Sequence, residues 1–286
     1  MNEILEGIPS VTCHVDDIVI SSTPENYNET LKLVLDRLKT AGVTLNEDKC
    51  VFFATKIDYL GQVIGPNGIS KDRKKVEAIT EYPAPTDKAE LRRFLGMVNQ
   101  LMKFTPNLAE ITKPLRDLLS KKSAWLWGSL QEKAFQQVKK ELSSDVVLAM
   151  YSPHRETLLS ADSSSYGLGA VLLQRQEDGE FRPVAYASRS MNETEQRYAQ
   201  IEKEALAITW AMERWRELLL GMENLKVETD HKPLIPLLST KSLDELPARI
   251  QRFRIRLMKY SFKISHTPGK SMYTADALSR SPLPML

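Results

Sequence analysis

Three closely spaced apolar segments in the second half of the chain constrain its fold more than any other feature. They lie at residues 157–163, 167–174 and 181–188, and only Ser/Gly and Glu-Asp-Gly turns separate them. Runs of this length between turn residues are typical of strands. The pattern therefore predicts three successive strands.

A long helical pattern follows these strands, from residue 192 or 194 to residue 220, and Gly221 ends it. Its apolar side chains recur every three or four residues, so one stripe should face a core. The stripe consists of Tyr198, Ile201, Ala205, Ile208, Met212, Trp215 and Leu219. The later segments predict, in order, a strand, two helices, a strand and a helical turn, at 225–230, 231–239, 246–259, 260–266 and 274–280. This order predicts an α/β fold with a mixed sheet and flanking helices.

The first half of the chain is mostly helical after a short strand pair. Its pattern predicts helices at 24–41, 71–80, 87–104, 108–119 and 130–142, with two short strands within 49–69. The composition then shifts near residues 143–152, where we place a domain boundary. A length of 286 residues favours about two domains.

The composition is that of a globular chain, with 42% hydrophobic and 27% charged residues. No apolar run approaches the roughly 18 to 20 residues needed to span a bilayer, and residues 1–9 lack a signal-peptide pattern. We therefore expect an intracellular protein without membrane contact. Cys13 and Cys50 are interpreted as buried thiols. A net charge of +2 does not by itself indicate nucleic-acid binding.

Two adjacent aspartates, Asp16 and Asp17, interrupt the apolar run VTCHVDDIVI. In a continuous strand they would point to opposite faces, and a buried carboxylate would need a partner or a metal ion. Two short strands joined by an Asp-Asp turn are the alternative. The local sequence does not choose between a metal site and a turn.

Carboxylates also recur along the second half of the chain. Asp162 and Asp230 each end a predicted strand, so they meet at one rim if these strands are neighbours. Glu202 and Glu204 lie on opposite flanks of the apolar stripe, and periodicity does not choose between them. Asp276 starts the last helical turn, where it could simply cap it.

Converging carboxylates repel one another, by about 4 kcal/mol for two charges about 4 Å apart at an effective dielectric near 20. They must therefore bind cations or stay protonated. Ligation by oxygen alone favours hard ions such as Mg²⁺ or Mn²⁺. Two such ions can catalyse in-line displacement at a phosphate.

Four motifs in the second half resemble the ribonuclease H domain of gypsy-type long-terminal-repeat retrotransposon Pol polyproteins. They are ADSSSYGLGAVLLQ, YAQIEKEALAITWA, VETDHKPL and HTPGKSMYTADALSR, and they span about 157–280. The resemblance implies an RNase H-like fold and two Mg²⁺ ions, with Mn²⁺ as the alternative. It also implies that four residues are both catalytic and metal ligands, and it selects Glu204 over Glu202. They are Asp162, Glu204, Asp230 and Asp276.

The upstream half resembles the reverse transcriptase of the same polyproteins. HVDDIVI is similar to the Y-x-D-D strand-turn-strand of the palm, although His14 replaces the tyrosine. GVTLNEDKCVFFATKIDYLGQVIGPNGI resembles the segment after it, and LRRFLGMVNQLMKFTPNLAEITKPLRDLL resembles the thumb and connection. The resemblance implies a partial palm at 1–82, thumb and connection helices at 83–150 and an RNase H-like domain at 151–286.

The polymerase-like metal site of Asp16 and Asp17 is incomplete in this sequence. The resemblance implies a third carboxylate on an earlier palm strand, but only fifteen residues precede Asp16. Their acids, Glu3 and Glu6, are too close in sequence to supply that strand. We therefore expect that this chain alone does not polymerise nucleotides.

A basic segment near residues 246–263 is a candidate nucleic-acid contact. Its candidate phosphate-binding residues are Arg249, Arg252, Arg256 and Lys259. The alternative is an amphipathic helix with a solvated basic face, because Ile250, Phe253, Leu257 and Tyr260 form a helical stripe. His266 is interpreted as a strand-end residue and not as a proton shuttle.

The resemblance implies a Mg²⁺-dependent endonuclease that hydrolyses the RNA strand of RNA–DNA hybrids. An inactive, host-retained nucleic-acid-binding remnant is one alternative, and a segment of a larger RNA-directed DNA polymerase is another. Expected partners are nucleic acid, other Pol regions such as integrase or protease, or a second copy of the chain. The expected location is the cytoplasm or a virus-like particle.

Overall fold

A computed structural model describes residues 1–121, 123–269 and 272. The chain forms two compact units, residues 1–54 and 55–286. The strands are β1 (Val11–His14), β2 (Asp17–Ile20), β3 (Ile57–Tyr59), β4 (Gln62–Gly65), β5 (Gly68–Lys71), β6 (Thr157–Ser163), β7 (Gly167–Arg175), β8 (Phe181–Ser190), β9 (Leu225–Thr229) and β10 (Phe262–His266). Across the described ranges, no helix combines the length and apolar character needed to cross a bilayer.

Twelve helices lie within the described residues. They are α1 (Asn2–Leu5), α2 (Pro24–Thr40), α3 (Arg73–Thr80), α4 (Lys88–Gln100), α5 (Leu108–Ile111), α6 (Lys113–Leu118), α7 (Ser129–Leu142), α8 (Glu193–Gln196), α9 (Gln200–Arg214), α10 (Arg216–Leu219), α11 (Leu234–Leu238) and α12 (Ala248–Leu257). Short 3-10 turns lie at Glu47–Lys49, Met102–Phe104 and Leu243–Glu245.

The first unit is a β-hairpin packed with helices α1 and α2. Strands β1 and β2 are antiparallel, and the register pairs His14 with Asp17. Pro24 occupies the first turn of α2, where its missing N–H costs no hydrogen bond. The small core of this unit contains Leu5, Ile8, Val34 and Leu38.

The second unit is organised around a five-stranded mixed sheet in the order β10-β9-β6-β7-β8. Strands β6, β7 and β8 are antiparallel neighbours, whereas β9 runs parallel to β6 and β10 runs parallel to β9. Antiparallel neighbours need only short turns, but the parallel neighbours β9 and β10 need a crossover, which α11 and α12 provide. Helices α8 to α10 connect β8, at one edge of the sheet, to β9 on the other side of β6 and β7. The predicted mixed α/β architecture is confirmed.

Both faces of this sheet are covered, because successive side chains in each strand point to opposite faces. Leu159 and Leu172 pack with the helices that follow β8, in one core cluster. Leu158 and Val171, their neighbours in sequence, pack with helices α3 to α7 in a second cluster. Burial on both faces explains why these strands are almost continuously apolar.

The long helix predicted at 192 or 194 to 220 is divided into α8, α9 and α10. Ala199 has extended backbone angles (φ −60°, ψ 153°), and its N–H donates to Oε2 of Glu202 at 3.1 Å. This hydrogen bond starts a new helix inside the pattern. Trp215 then departs from helical geometry (φ −110°, ψ 31°) and ends it. Apolar periodicity does not detect such breaks, because the stripe continues through them.

Three strands, β3 to β5, lie between residues 57 and 71. The sequence predicts only two strands in this region, within 49–69. The Pro-Asn pair at 66–67 joins β4 to β5, and Gly65 pairs with Gly68. Gly68 has φ +122°, and an added Cβ would lie 2.1 Å from the carbonyl oxygen of Leu148. Glycine is therefore required at this turn.

Helix α4 offers a test of local stability. The Asp87 carboxylate accepts hydrogen bonds from the N–H groups of Ala89 (2.7 Å) and Glu90 (2.8 Å), so it caps the helix. We predict that Asp87→Ala lowers the free energy of unfolding by about 1 kcal/mol, whereas Asp87→Asn or Asp87→Ser should retain most of it. Urea denaturation of the three variants measures this, and equal stability of Asp87→Ala and wild type would contradict the assignment.

Candidate metal centre at the sheet rim

Strands β6 and β9 bring Asp162 and Asp230 to the same rim of the sheet. The two strands are parallel, and their register pairs Ser160 with Glu228. Each aspartate lies two residues beyond this pair in its own chain direction. The two side chains therefore meet at the carboxyl ends of neighbouring parallel strands, as the sequence predicts.

Helix α9 adds Glu204 from the face that packs on the sheet. Glu204 is only 3% exposed, and one carboxylate oxygen from each of Asp162, Glu204 and Asp230 can be chosen so that all three lie within 4.8 Å of one another. Glu202 instead pairs with Arg249, at 2.6 Å between Oε2 and Nη1. The choice between the two glutamates, which periodicity leaves open, is thus made by packing.

Two polar residues that sequence reasoning missed hold the Glu204 carboxylate. The Ser163 hydroxyl donates to Oε1 of Glu204 at 2.6 Å, and the Gln200 amide donates to the same oxygen at 2.6 Å. Gln200 also reaches the Ser163 oxygen at 3.1 Å. A signal for both was present, since Gln200 is one helical turn before Glu204 and Ser163 follows Asp162.

The electrostatics of the cluster are those of uncompensated negative charge. Burial raises the pKa of Glu204 from 4.5 to about 7, the hydrogen bond from Ser163 opposes this, and the charge of Asp162 adds to the rise. Asp162 is exposed at the rim, but protein atoms around its carboxylate also raise its pKa by desolvation, and the nearby charges of Asp230 and Glu110 add to this rise. The cluster therefore favours any ligand that brings positive charge.

The segment after β10 lies beside Asp230. The N–H of Thr267 donates to the carbonyl oxygen of Thr229 at 3.0 Å. A Cβ added to Gly269 would lie 3.1 Å from Oδ2 of Asp230, so glycine allows the close approach. His266 is exposed at the end of β10. The fourth candidate ligand, Asp276, lies outside the described residues.

The donor set fits a hard divalent cation. All three side chains offer carboxylate oxygens, which Mg²⁺ and Mn²⁺ prefer. Burial, and to a smaller extent the charges of Asp162 and Asp230, raise the pKa of Glu204, so a cation would favour its ionised form. Asp162 and Asp230 are open to solvent, whereas Glu204 is buried beneath them, so an ion at the rim could keep open coordination positions.

Asp16 and Asp17 lie at the tip of the β1–β2 hairpin. Val15 and Asp16 form the turn, Val15 has φ +54°, and both aspartates are exposed. Within the described residues they belong to no group of three metal-ligating side chains. A turn between two short strands is present, but it consists of Val15 and Asp16 and not of the Asp-Asp pair, since Asp17 already belongs to β2. The role of the two aspartates in a polymerase metal site stays a prediction.

The basic candidates on α12 and just after it differ in their local partners. Arg249 is paired with Glu202 and stacks over Tyr198, with its Cζ 3.9 Å from the ring centroid. Arg256 is paired with Glu213, at 2.7 Å between Nε and Oε1. Arg252 and Lys259 are exposed. Arg252 is consequently a better candidate for an unshared phosphate contact than Arg249 or Arg256.

Comparison with known families shows what the chain resembles. Residues 127–227 match the model of the RNase H-like domain found in reverse transcriptase, and residues 1–64 match that of reverse transcriptase (RNA-dependent DNA polymerase). The retrovirus-related Pol polyprotein from transposon opus of Drosophila melanogaster is 39% identical over 99% of this chain. The chain is similar to the reverse transcriptase and RNase H-like region of gypsy-type retrotransposon Pol polyproteins.

Other Pol polyproteins match over similar shares of the chain. That of transposon 297 of Drosophila melanogaster is 38% identical over 98% of the chain, and the transposon Tf2-3 polyprotein of Schizosaccharomyces pombe is 35% identical over 94%. The chain spans 29%, 26% and 20% of the opus, 297 and Tf2-3 polyproteins, respectively. It thus corresponds to their reverse transcriptase and RNase H-like region.

Solved structures share the fold. The foamy viral protease-reverse transcriptase in complex with RNA/DNA hybrid matches with a TM-score of 0.79 and 23% identity, over 94% of this chain and 37% of that one. A foamy viral protease-reverse transcriptase in complex with dsDNA gives the same TM-score, with 22% identity, over 94% of this chain and 56% of that one. The predicted RNase H-like fold is confirmed.

Proposed function

We propose that this region is a Mg²⁺-dependent endonuclease that hydrolyses the RNA strand of RNA–DNA hybrids. The observation that carries the proposal is the convergence of Asp162, Glu204 and Asp230 within 4.8 Å at the rim of an RNase H-like sheet. Asp276 is proposed as the fourth ligand on the sequence motif alone. The hybrid bound in a foamy viral structure of the same fold supports the substrate class.

The chain's own residues would hold and orient the reacting groups. Asp162, Glu204 and Asp230 would ligate the ions, and Ser163 and Gln200 would keep the Glu204 carboxylate in one orientation through their 2.6 Å hydrogen bonds. When bound, divalent ions supply an activated water and stabilise the leaving oxygen of the phosphate. RNA would be selected through its 2′-hydroxyl and through the minor groove of the hybrid.

Substrate selectivity provides the test of this proposal. The purified chain is incubated with Mg²⁺ and a hybrid labelled on either the RNA or the DNA strand, and with a DNA duplex of the same sequence. We expect cleavage of the RNA strand alone. Binding of the hybrid without cleavage in Mg²⁺ or Mn²⁺ would contradict the nuclease and support the alternative of an inactive nucleic-acid-binding remnant.

Phosphate contacts by the basic helix are part of the proposal and can be measured separately. Arg252→Glu should weaken hybrid binding by roughly 3- to 10-fold at low salt and reduce the slope of log K against log [salt] by about 1, as expected for one lost phosphate contact. Arg256→Glu should have a smaller effect on the salt slope, because Arg256 already pairs with Glu213. Fluorescence anisotropy across a salt series measures both, and unchanged slopes would show that the basic face is only solvated.

A second proposed function is that of a segment of a larger RNA-directed DNA polymerase. Its support is the match of residues 1–64 to reverse transcriptase, together with the exposed Asp16 and Asp17 at a hairpin tip. These aspartates would complete a polymerase site with carboxylates supplied by a longer polyprotein or another chain. Primer extension tests this, since nucleotide incorporation by the present chain alone would contradict the need for such a partner.

A further inference from the structure

A short segment before the RNase H-like sheet packs beside the carboxylate cluster. This segment, residues 107–113, includes α5 and is named here the thumb wall. Leu108 and Ala109 are buried, with exposed fractions of 0% and 4%. The N–H of Ala109 donates to the hydroxyl oxygen of Ser188 in β8 at 3.0 Å, in a buried hydrogen bond. Burial and this hydrogen bond thus hold the thumb wall against the sheet.

Two glycines in β7 create the space for this packing. A Cβ added to Gly169 would lie 3.0 Å from Oδ1 of Asn107, and one added to Gly167 would lie 3.9 Å from Cβ of Ala109 and 3.1 Å from the carbonyl oxygen of Arg189. Gly169 is also the residue that pairs with Asp162 across β6 and β7. The thumb wall therefore approaches the sheet at the strand position opposite a candidate metal ligand.

The thumb wall and the candidate metal centre share a cavity. It has a volume of about 50 Å³, and its polar lining includes Asn107, Glu110, Asp162, Ser164 and Ser188. Glu110 is close enough to Asp162 for their charges to interact. The cavity beside the centre is consequently lined in part by residues from outside the predicted nuclease domain, namely Asn107, Ala109 and Glu110.

Lys113 is the only basic residue in the thumb wall sequence NLAEITK. Its Nζ lies 4.7 Å from the ring centroid of Tyr166, which is 48% exposed. Tyr166 belongs to the turn after Asp162, and the Ser164 hydroxyl oxygen accepts hydrogen bonds from the N–H groups of Tyr166 and Gly167 at 3.2 and 3.1 Å. The Lys113 ammonium group is therefore held over the exposed ring of Tyr166, which lies on an ordered turn four residues after the candidate ligand Asp162.

The charged groups around Lys113 favour a phosphate as its ligand. It pairs with Asp117 at 2.7 Å, but both side chains are solvent-accessible, and such pairs contribute little, so a phosphate can compete for the ammonium group. A polyanion that enters an acidic centre needs cations beside its path. Exposed tyrosine rings with adjacent cations also suit sugars and bases next to that phosphate.

We propose that the thumb wall is part of the nuclease site, and that Lys113, held over Tyr166, binds a phosphate of the nucleic-acid strand entering it. This inference rests on the proposed nuclease function for the choice of ligand. The residues contributed by the thumb wall would make the site a composite of the thumb and the RNase H-like sheet, not a property of the sheet alone.

The test is hybrid binding by the full chain in EDTA, where it is independent of hydrolysis. Lys113→Ala should weaken binding by roughly 3- to 10-fold at low salt and lower the salt slope by about 1, and Lys113→Arg should retain both. Tyr166→Phe should bind like wild type, whereas Tyr166→Ala should bind more weakly. The charge-matched control is Lys133→Ala, because Lys133 is an exposed lysine on α7, outside the thumb wall.

Identical affinity and salt slope for Lys113→Ala and Lys133→Ala would overturn this inference. That failure is distinguishable from failure of the nuclease proposal. If the wild type hydrolyses the hybrid but the two lysine variants bind alike, only the phosphate contact is wrong. If Lys113→Ala lowers the slope but the wild type never hydrolyses the hybrid, the contact stands and the nuclease function is wrong.

Discussion

Replacing Asp162 with asparagine should reduce Mg²⁺-dependent cleavage of an RNA–DNA hybrid by at least about 100-fold. Loss of a residue that only supports a metal ligand typically costs about 10- to 100-fold in affinity or activity, so loss of a ligand should cost more. The charge of Asp162 also interacts with those of Glu204 and Asp230. Initial cleavage rates at saturating hybrid, over a range of Mg²⁺ concentrations, measure the effect.

The matched control is Asp178→Asn. Asp178 lies in the turn between β7 and β8, at the end of the sheet away from Asp162, and pairs with Arg182. It should cleave the hybrid at nearly the wild-type rate. Unchanged cleavage by Asp162→Asn, with correct folding, would show that the carboxylate cluster is not the reactive centre.

Replacing Glu204 with glutamine should separate stability from activity. The pKa of Glu204 rises from 4.5 to about 7 on folding, so the folded state holds a proton that the unfolded state releases. The contribution of Glu204 to stability without metal is then greatest below about pH 4.5 and is lost as the pH rises through about 7. Each pKa unit corresponds to about 1.4 kcal/mol, so Glu204→Gln in EDTA at pH 8 should be more stable than wild type by up to roughly 3 kcal/mol.

The same variant should lose cleavage and most of the stabilisation by Mg²⁺, because it lacks one charged ligand. Thermal unfolding at pH 4.5 and pH 8, each in EDTA and in Mg²⁺, measures the stability of the variant under these four conditions. Glu213→Gln on the same helix is the control, since Arg256 holds the pKa of Glu213 below its usual range. Its removal should not stabilise the protein at pH 8. If Glu204→Gln is no more stable than wild type at pH 8, ionisation of the buried Glu204 carboxylate does not destabilise the folded state.

The sheet was largely predictable from the sequence, because its strands carry strong local signals. The predicted strands at 157–163, 167–174 and 181–188 correspond to β6, β7 and β8 within two residues. The two parallel partners, β9 and β10, were also predicted as strands. Their order in the sheet was not predictable from local patterns, since parallel pairing depends on how the helical crossover packs.

The candidate site was only partly predictable. Asp162 and Asp230 follow from strand ends, but Glu204 required the family resemblance, because a helical wheel places Glu202 equally well. The structure adds the physical reason, which is that Arg249 neutralises Glu202 at the surface while Glu204 packs beneath the rim. The thumb wall was not predictable, because Asn107 and Glu110 lie far from Asp162 in sequence and only tertiary packing brings them together.

The central claim is that Asp162, Glu204 and Asp230 form a metal centre that hydrolyses RNA in a hybrid. Its most direct test follows RNA-strand cleavage by the wild-type chain while divalent ions are removed and restored. The account predicts cleavage in Mg²⁺, no cleavage after EDTA is added in excess, and recovery when Mg²⁺ is returned. Cleavage that persists in EDTA, or its absence in Mg²⁺ and Mn²⁺ by a folded protein that binds the hybrid, would contradict it.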